Sequence, residues 1–217
     1  MESRITASPA TVPGYHAGRK PGNAGKRYPA EVLAPDEVQA LLAGCSNRAP
    51  SGIRNRALLA VLYRGGVRIS EALALMPKDA DAGAGTITVL HGKGDRRRTI
   101  GLDAGAFALL ERWLDARRRL GLGGRQPLFC TLAGGSLDPS YVRALLHRLA
   151  QRAGIEKRVH PHGLRHTHAA ELAAEGKPVN LIQAQLGHAS LATTDRYLRH
   201  IAPQQLVDAI RAREWNL

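Results

Sequence analysis

One segment breaks the pattern of this chain. Residues 85–102, GTITVLHGKGDRRRTIGL, set the β-branched run Thr86, Ile87, Thr88, Val89 against a second short run, RRRTIGL, across a reversal bracketed by glycines. Two short strand-like runs around a Gly-rich turn predict a β-hairpin, here with a strongly basic tip. The surroundings are helical instead. APDEVQALLAGC begins a helix, with Pro35 at its start, acids in the first turn, and Val38, Leu41 and Leu42 on one face. A second helix is expected over roughly 52–64, closed by Gly65-Gly66, and a short third one, in VRISEALALMP, stops before Pro77. After the hairpin, a helix over roughly 103–120 turns Leu109, Leu110, Trp113 and Leu114 inward and Arg112, Arg117, Arg118 and Arg119 largely outward. The apolar piece PLFC follows a glycine-rich break, and further helices are predicted near 139–152, 162–175, 178–186, 191–199 and 203–213. The chain reads as mainly α with a small antiparallel sheet, an α+β class in which one hairpin docks on a helical body.

Charge narrows the function. The 217 residues carry 31 Lys+Arg against 18 Asp+Glu, a formal net charge of +13. That is a field suited to a polyanion, although a merely basic soluble protein has the same composition. Aromatic residues make up 4% of the chain, too few to stack a single strand base by base, so duplex DNA held by its backbone is the natural partner. Cys45 and Cys130 fit no zinc spacing and are expected as reduced core residues of a cytoplasmic protein. No apolar run reaches bilayer length, and the N-terminal sequence lacks the apolar core of a signal peptide. Residues 1–33, rich in Gly, Pro, Ala and basic side chains, read as a flexible basic tail or linker, and residues 34–217 as the folded unit.

The segment HPHGLRHTHA, residues 160–169, concentrates potential chemistry. His162 and His166 are one helical turn apart, a spacing that suits zinc. Arg165 shares that region and stays cationic at any workable pH, which suits a phosphate. A helix starting at Pro161 would also point its positive end at an anion. Elsewhere, Arg68 lies between a glycine pair and an apolar helix, so its stem is expected to enter the protein. Glu71, three residues on, is either a simple ion-pair partner or a brace for a phosphate-binding arginine. Lys93 stands between Gly92 and Gly94, His188 follows a helix-ending glycine, and Tyr197 lies in a short polar helix. Singly, each reads as readily as a solvated or core residue.

In order, however, Arg68, Lys93, His162, Arg165, His188 and Tyr197 form a pattern. The strings GVRISEALAL, HGKGDRRRTIGL, HPHGLRHTHAAEL and LGHASLATTDRYLRH resemble the catalytic domain of the tyrosine recombinase (phage integrase) family, over about 34–213. The resemblance implies that Arg68 and Arg165 clamp the scissile phosphate, that His188 donates a further hydrogen bond, and that His162 holds the phosphate and helps take the tyrosine proton. It implies that Tyr197 attacks phosphorus, giving a 3′-phosphotyrosyl enzyme, that Lys93 protonates the leaving 5′-oxygen, and that Glu71 supports the site. It implies a site needing no metal, ATP or other cofactor, and HPHGLRHTHA then reads as a phosphate cradle, His166 packing behind it. No acid or cysteine is spaced to complete a zinc set.

The resemblance further implies double-stranded DNA as substrate, a synaptic homo-tetramer on it, and a cytoplasmic, nucleoid-associated enzyme of a mobile element. The helical core-binding domain that most members carry ahead of the catalytic one is expected to be absent, and a partner protein could supply that half. TIGL stands where relatives often have proline before the leucine, and Val207 and Ile210 give the last helix an apolar edge for a neighbouring protomer or for its own domain. Arg96, Arg97, Arg98 and Arg143 are candidate duplex contacts, or solvated surface. Two other activities fit the same residues: type IB topoisomerase-like cleavage and religation, and a non-catalytic DNA-binding regulator of recombination.

Overall fold

The computed structural model describes residues 31–90, 97–187 and 211. Its centre is α2 (Pro50–Arg64), whose residues Ala57 to Leu62 are all buried. A stretch apolar on every side must be wrapped by other elements, and α2 packs against α4 (Ala104–Arg119), α6 (Pro161–Ala174), α3 (Ile69–Ala74) and α1 (Pro35–Ala43). The amphipathic α5 (Pro139–Arg152) closes the core with Val142, Leu145, Leu146 and Leu149. Each fully buried leucine of this kind contributes roughly 2 kcal/mol of apolar transfer. Asp103 and Asp138 cap α4 and α5, accepting from the backbone N–H groups of Ala106 at 3.0 Å and Ser140 at 2.6 Å. A smaller cluster, Ala169, Ala173, Ile182 and Leu186, docks α7 (Val179–Leu186) on α6.

The hairpin is present as β2 (Thr86–Val89) and β3 (Arg98–Gly101), antiparallel, with Ile87 opposite Ile100 and both buried. A two-residue strand, β1 (Ala80–Asp81), adds to the other edge of β2 after a 3₁₀ turn at Pro77–Asp79, so the sheet is three-stranded. Nothing in the sequence announced β1, which is too short to carry a period. The segment between Val89 and Arg98, apart from Leu90 and Arg97, lies outside the described residues, as do the helices expected near 191–199 and 203–213, save residue 211.

Two expectations need correction. Arg117, expected to face outward, is 2% exposed. It is drawn in because the loop after α4 offers it acceptors: Nη1 donates to the carbonyls of Pro127 at 2.5 Å and Leu128 at 2.9 Å, and Nη2 to those of Gly123 at 3.0 Å and Gln126 at 3.3 Å. Secondly, order reaches back beyond the expected boundary at residue 34. Leu33 is buried and its N–H donates to Thr167 Oγ1 of α6 at 3.0 Å. Glu31 accepts from the Arg158 backbone at 2.6 Å, and Lys157 Nζ donates to the Val32 carbonyl at 3.1 Å and to Glu37 at 2.7 Å. Residues 1–30 of the expected tail lie outside the described residues. Cys45 and Cys130 are buried free thiols, as read from their spacing. Among the described residues no helix is long and apolar enough to cross a membrane.

Candidate active site

Four elements converge beside the small sheet: the start of α3, the start of β3, the first turn of α6 and the end of α7. Arg68 is the extended residue that caps α3, with φ −72° and ψ 152°. Glu71 lies one turn on and folds back. Its carboxylate accepts the Arg68 backbone N–H at 2.8 Å and Arg68 Nη1 at 2.6 Å. From β3, Arg98 presents both terminal nitrogens to the same group, Nη1 at 3.0 Å from Oε1 and Nη2 at 2.8 Å from Oε2. The Glu71 side chain is 2% exposed, that of Arg98 12% and that of Arg68 29%. Burial alone would raise the Glu71 carboxyl. The hydrogen bonds from Arg98 and Arg68 outweigh it and hold the group at about 2, so Glu71 is an anion under all ordinary conditions.

Arg165 enters from α6 and is 3% exposed. Its Nη1 donates to the Gly66 carbonyl at 2.6 Å and its Nη2 to the Leu186 carbonyl at 2.7 Å. Carbonyls orient a guanidinium without neutralising it. Arg68 Nη2 reaches the next carbonyl along, that of Gly187, at 3.4 Å. The two arginines thus grip consecutive carbonyls at the negative end of α7, where cations are favoured. Both glycines are required. Gly66 has φ +60°, and a Cβ there would come within 2.8 Å of His168 and of Leu186. Gly187 has φ +66°, and a Cβ there would lie 2.7 Å from the Arg98 side chain.

His162 stands one turn before Arg165 on α6. Burial lowers its pKa below the usual 6.5, and the nearby Arg165, His160 and Arg68 lower it further, which favours the neutral ring at pH 7. It meets the His166 ring edge to face at 4.3 Å between centroids. His160 is the residue before α6, with Nδ1 2.9 Å from the Arg158 carbonyl. His168 is 4% exposed, neither of its ring nitrogens has a hydrogen-bond partner among the described residues, and burial drops its pKa to about 4. It is a neutral core residue. Among the described residues no three His, Cys, Asp or Glu side chains come together as a metal-binding group.

Of the residues singled out in the sequence, Arg68, Glu71, His162 and Arg165 are thereby brought together. Lys93, His188, Tyr197 and Arg96 lie outside the described residues. Arg97 and Arg143 are exposed. Arg98 departs from its expectation as a duplex contact: it is turned inward and committed to Glu71. The signal was available, because Arg98 and the buried Ile100 are two apart on one strand and so share a face.

The domain is mainly helical with a three-stranded sheet, and beside that sheet it brings together two arginines held on backbone carbonyls and a histidine. Residues 31–203 match the Phage integrase family, and the chain belongs to that family. It is 37% identical over 182 residues to "Tyrosine recombinase XerC 2" of Ralstonia nicotianae, an alignment covering 83% of this chain and 52% of that protein. The chain therefore spans about half the length of that relative. Among solved structures, XerA recombinase superposes with a TM-score of 0.74 at 32% identity, covering 92% of this chain and 72% of that one. XerH site-specific recombinase, bound to its palindromic difH substrate in a post-cleavage complex, superposes with a TM-score of 0.69 at 33% identity, covering 84% of this chain and 53% of the other.

Proposed function

We propose that the chain is the strand-cleaving and rejoining part of a site-specific DNA recombinase. The observation that carries this reading is the pair Arg68 and Arg165, fixed on consecutive carbonyls beside a neutral His162. Cleaving a phosphodiester builds negative charge on the oxygens of a five-coordinate phosphorus. Preorganised guanidinium forks stabilise that charge without reorganising at the moment of reaction.

The chemistry proposed is a transesterification. The Tyr197 oxygen attacks phosphorus in line, the bond to the 5′-oxygen breaks, and a 3′-phosphotyrosyl ester forms. A phenol near pKa 10 is a weak nucleophile at neutral pH. His162, neutral and therefore able to accept, takes the tyrosine proton, while Lys93 gives one to the leaving 5′-oxygen. His188 adds a donor to the phosphate. The ester conserves the bond, so a 5′-hydroxyl from a second duplex reverses the reaction and completes exchange with no nucleotide cofactor. Guanidinium charge from the chain itself serves as metal ions do in other nucleases. Exchange between two duplexes implies four protomers assembled on DNA in the cytoplasm, at the nucleoid. Arg97 and Arg143, both exposed, and Arg96 are proposed backbone contacts, which set register rather than sequence.

Incubating the protein with supercoiled plasmid and with DNA flanking its gene, in EDTA, and trapping with detergent tests this. The expected result is a covalent protein–DNA adduct from wild type and none from Tyr197→Phe. Exchange between two duplexes supports the recombinase, relaxation alone a topoisomerase-like activity. DNA binding with no adduct on either substrate would leave a non-catalytic regulator and overturn the proposal.

A further inference from the structure

Two arginines share one buried carboxylate, and they share it unequally. Arg98 gives its whole fork to Glu71, one nitrogen to each oxygen, at 3.0 and 2.8 Å. Arg68 gives only Nη1, at 2.6 Å to Oε1, while Nη2 makes the 3.4 Å contact with the Gly187 carbonyl and the side chain stays partly open to solvent. One carboxylate cancels one guanidinium. The trio of Arg68, Arg98 and Glu71 therefore keeps one positive charge, and Arg98 is the more enclosed of its two cations. The Arg98 stem is held in turn under Gly187, where a Cβ would meet its Cδ and Nε at 2.7 Å.

We infer that Arg98 is a positioning residue that occupies Glu71 so that Arg68 keeps a net positive charge and a free-facing edge for an anion. This deepens the proposed function and rests on it for the identity of that anion. The physics is competition. Without Arg98, both Glu71 oxygens turn to Arg68 as a bidentate pair, the local charge falls to zero, and the fork is drawn off the ligand. Arg98 touches neither phosphate nor tyrosine in this account. It acts through Glu71.

Competition makes a prediction that a packing role does not. Arg98→Met keeps an apolar stem and removes the charge, and it should lower both anion binding and cleavage. Adding Glu71→Gln to it removes the competing carboxylate and should restore much of what was lost. The measurement is binding of inorganic phosphate to the full chain, followed by NMR of the arginine Nε–H groups, together with the single-turnover rate of adduct formation on nicked duplex DNA. Arg98→Met is expected to weaken phosphate binding about tenfold and slow adduct formation by about 10²-fold. The double variant should recover to within about threefold of wild type in phosphate binding. Arg98→Lys, which keeps the charge but loses the fork, should lie between wild type and Arg98→Met, and thermal denaturation confirms that each variant is folded. A double variant no better than Arg98→Met, in folded protein, would overturn the inference. So would Arg98→Met indistinguishable from wild type. A wild type that forms no adduct, yet follows the expected phosphate-binding order, would remove the recombinase reading and leave the role of Arg98 standing.

Discussion

The chain buries arginines in two places to different ends. In the helical core, Arg54 and Arg117 are 4% and 2% exposed. Arg54 donates to the Cys130 carbonyl at 3.0 Å, to Asn55 Oδ1 and to the Tyr141 hydroxyl, and Arg117 ties down the loop after α4. Their nitrogens point at fixed acceptors on all sides, and their role ends there. Beside the sheet, Arg68 is part-exposed and anchored by part of its fork. A buried guanidinium is therefore not by itself the mark of a site. What separates the regions is company: Arg54 and Arg117 sit alone among core and loop acceptors, whereas Arg165, just as enclosed and held by two carbonyls, lies one carbonyl along from the part-exposed Arg68.

The difference can be broken at either end. The largest effect is expected at Arg165. Arg165→Ala should slow adduct formation by about 10³-fold in single-turnover assays of the folded fraction, because the proposed function puts this preorganised charge at the reacting phosphate. Arg117→Ala should do the reverse. It leaves the Pro127, Gly123 and Gln126 carbonyls without this donor, Leu128 keeping that of Trp113, and should lower stability by about 3–5 kcal/mol in urea titrations, with the per-molecule cleavage rate of the folded fraction nearly unchanged. Gly66→Ala should affect both, by about 1–3 kcal/mol in stability and with a loss of cleavage, since it strains a φ of +60° and displaces the carbonyl that holds Arg165.

The smallest effects concern pH. Glu71 ionises at about 2 in the folded chain against 4.5 ordinarily. Its lowered value means that its ionisation stabilises the fold above pH 4.5, and the gain disappears as pH falls through about 2. Wild type should therefore exceed Glu71→Gln in thermal stability above pH 4.5 and lose that advantage towards pH 2. His162, lowered below 6.5, should keep cleavage active on the acid side of neutrality, with the acid limb of the rate profile below 6.5.

Much of this contrast was legible in the sequence, because residues close along the chain report on one another. Glu71 one turn from Arg68, and His162 and Arg165 at the head of a helix, followed from spacing alone, as did the hairpin. What escaped depends on contacts between distant segments. Arg117 sits among other arginines in a helix, and only the loop folding back over it turns it inward. Arg98 was read by the company it keeps, a run of three arginines, although strand alternation paired it with Ile100. β1 exists because β2 offers an open edge, and its own two residues carry no pattern.

The attachment of residues 31–33 has a mechanical meaning. Glu31, Val32 and Leu33 are tied to Lys157, Arg158 and Thr167, which flank the turn of α6 that carries His162 and Arg165. Force arriving along the chain at Glu31 is delivered to α6 from two sides, through the segment before its start and through Thr167 within it. His162 and Arg165 thus lie between the two points where residues 31–33 are anchored, and since Leu33 is itself a core residue, tension on that segment is shared between α6 and the core.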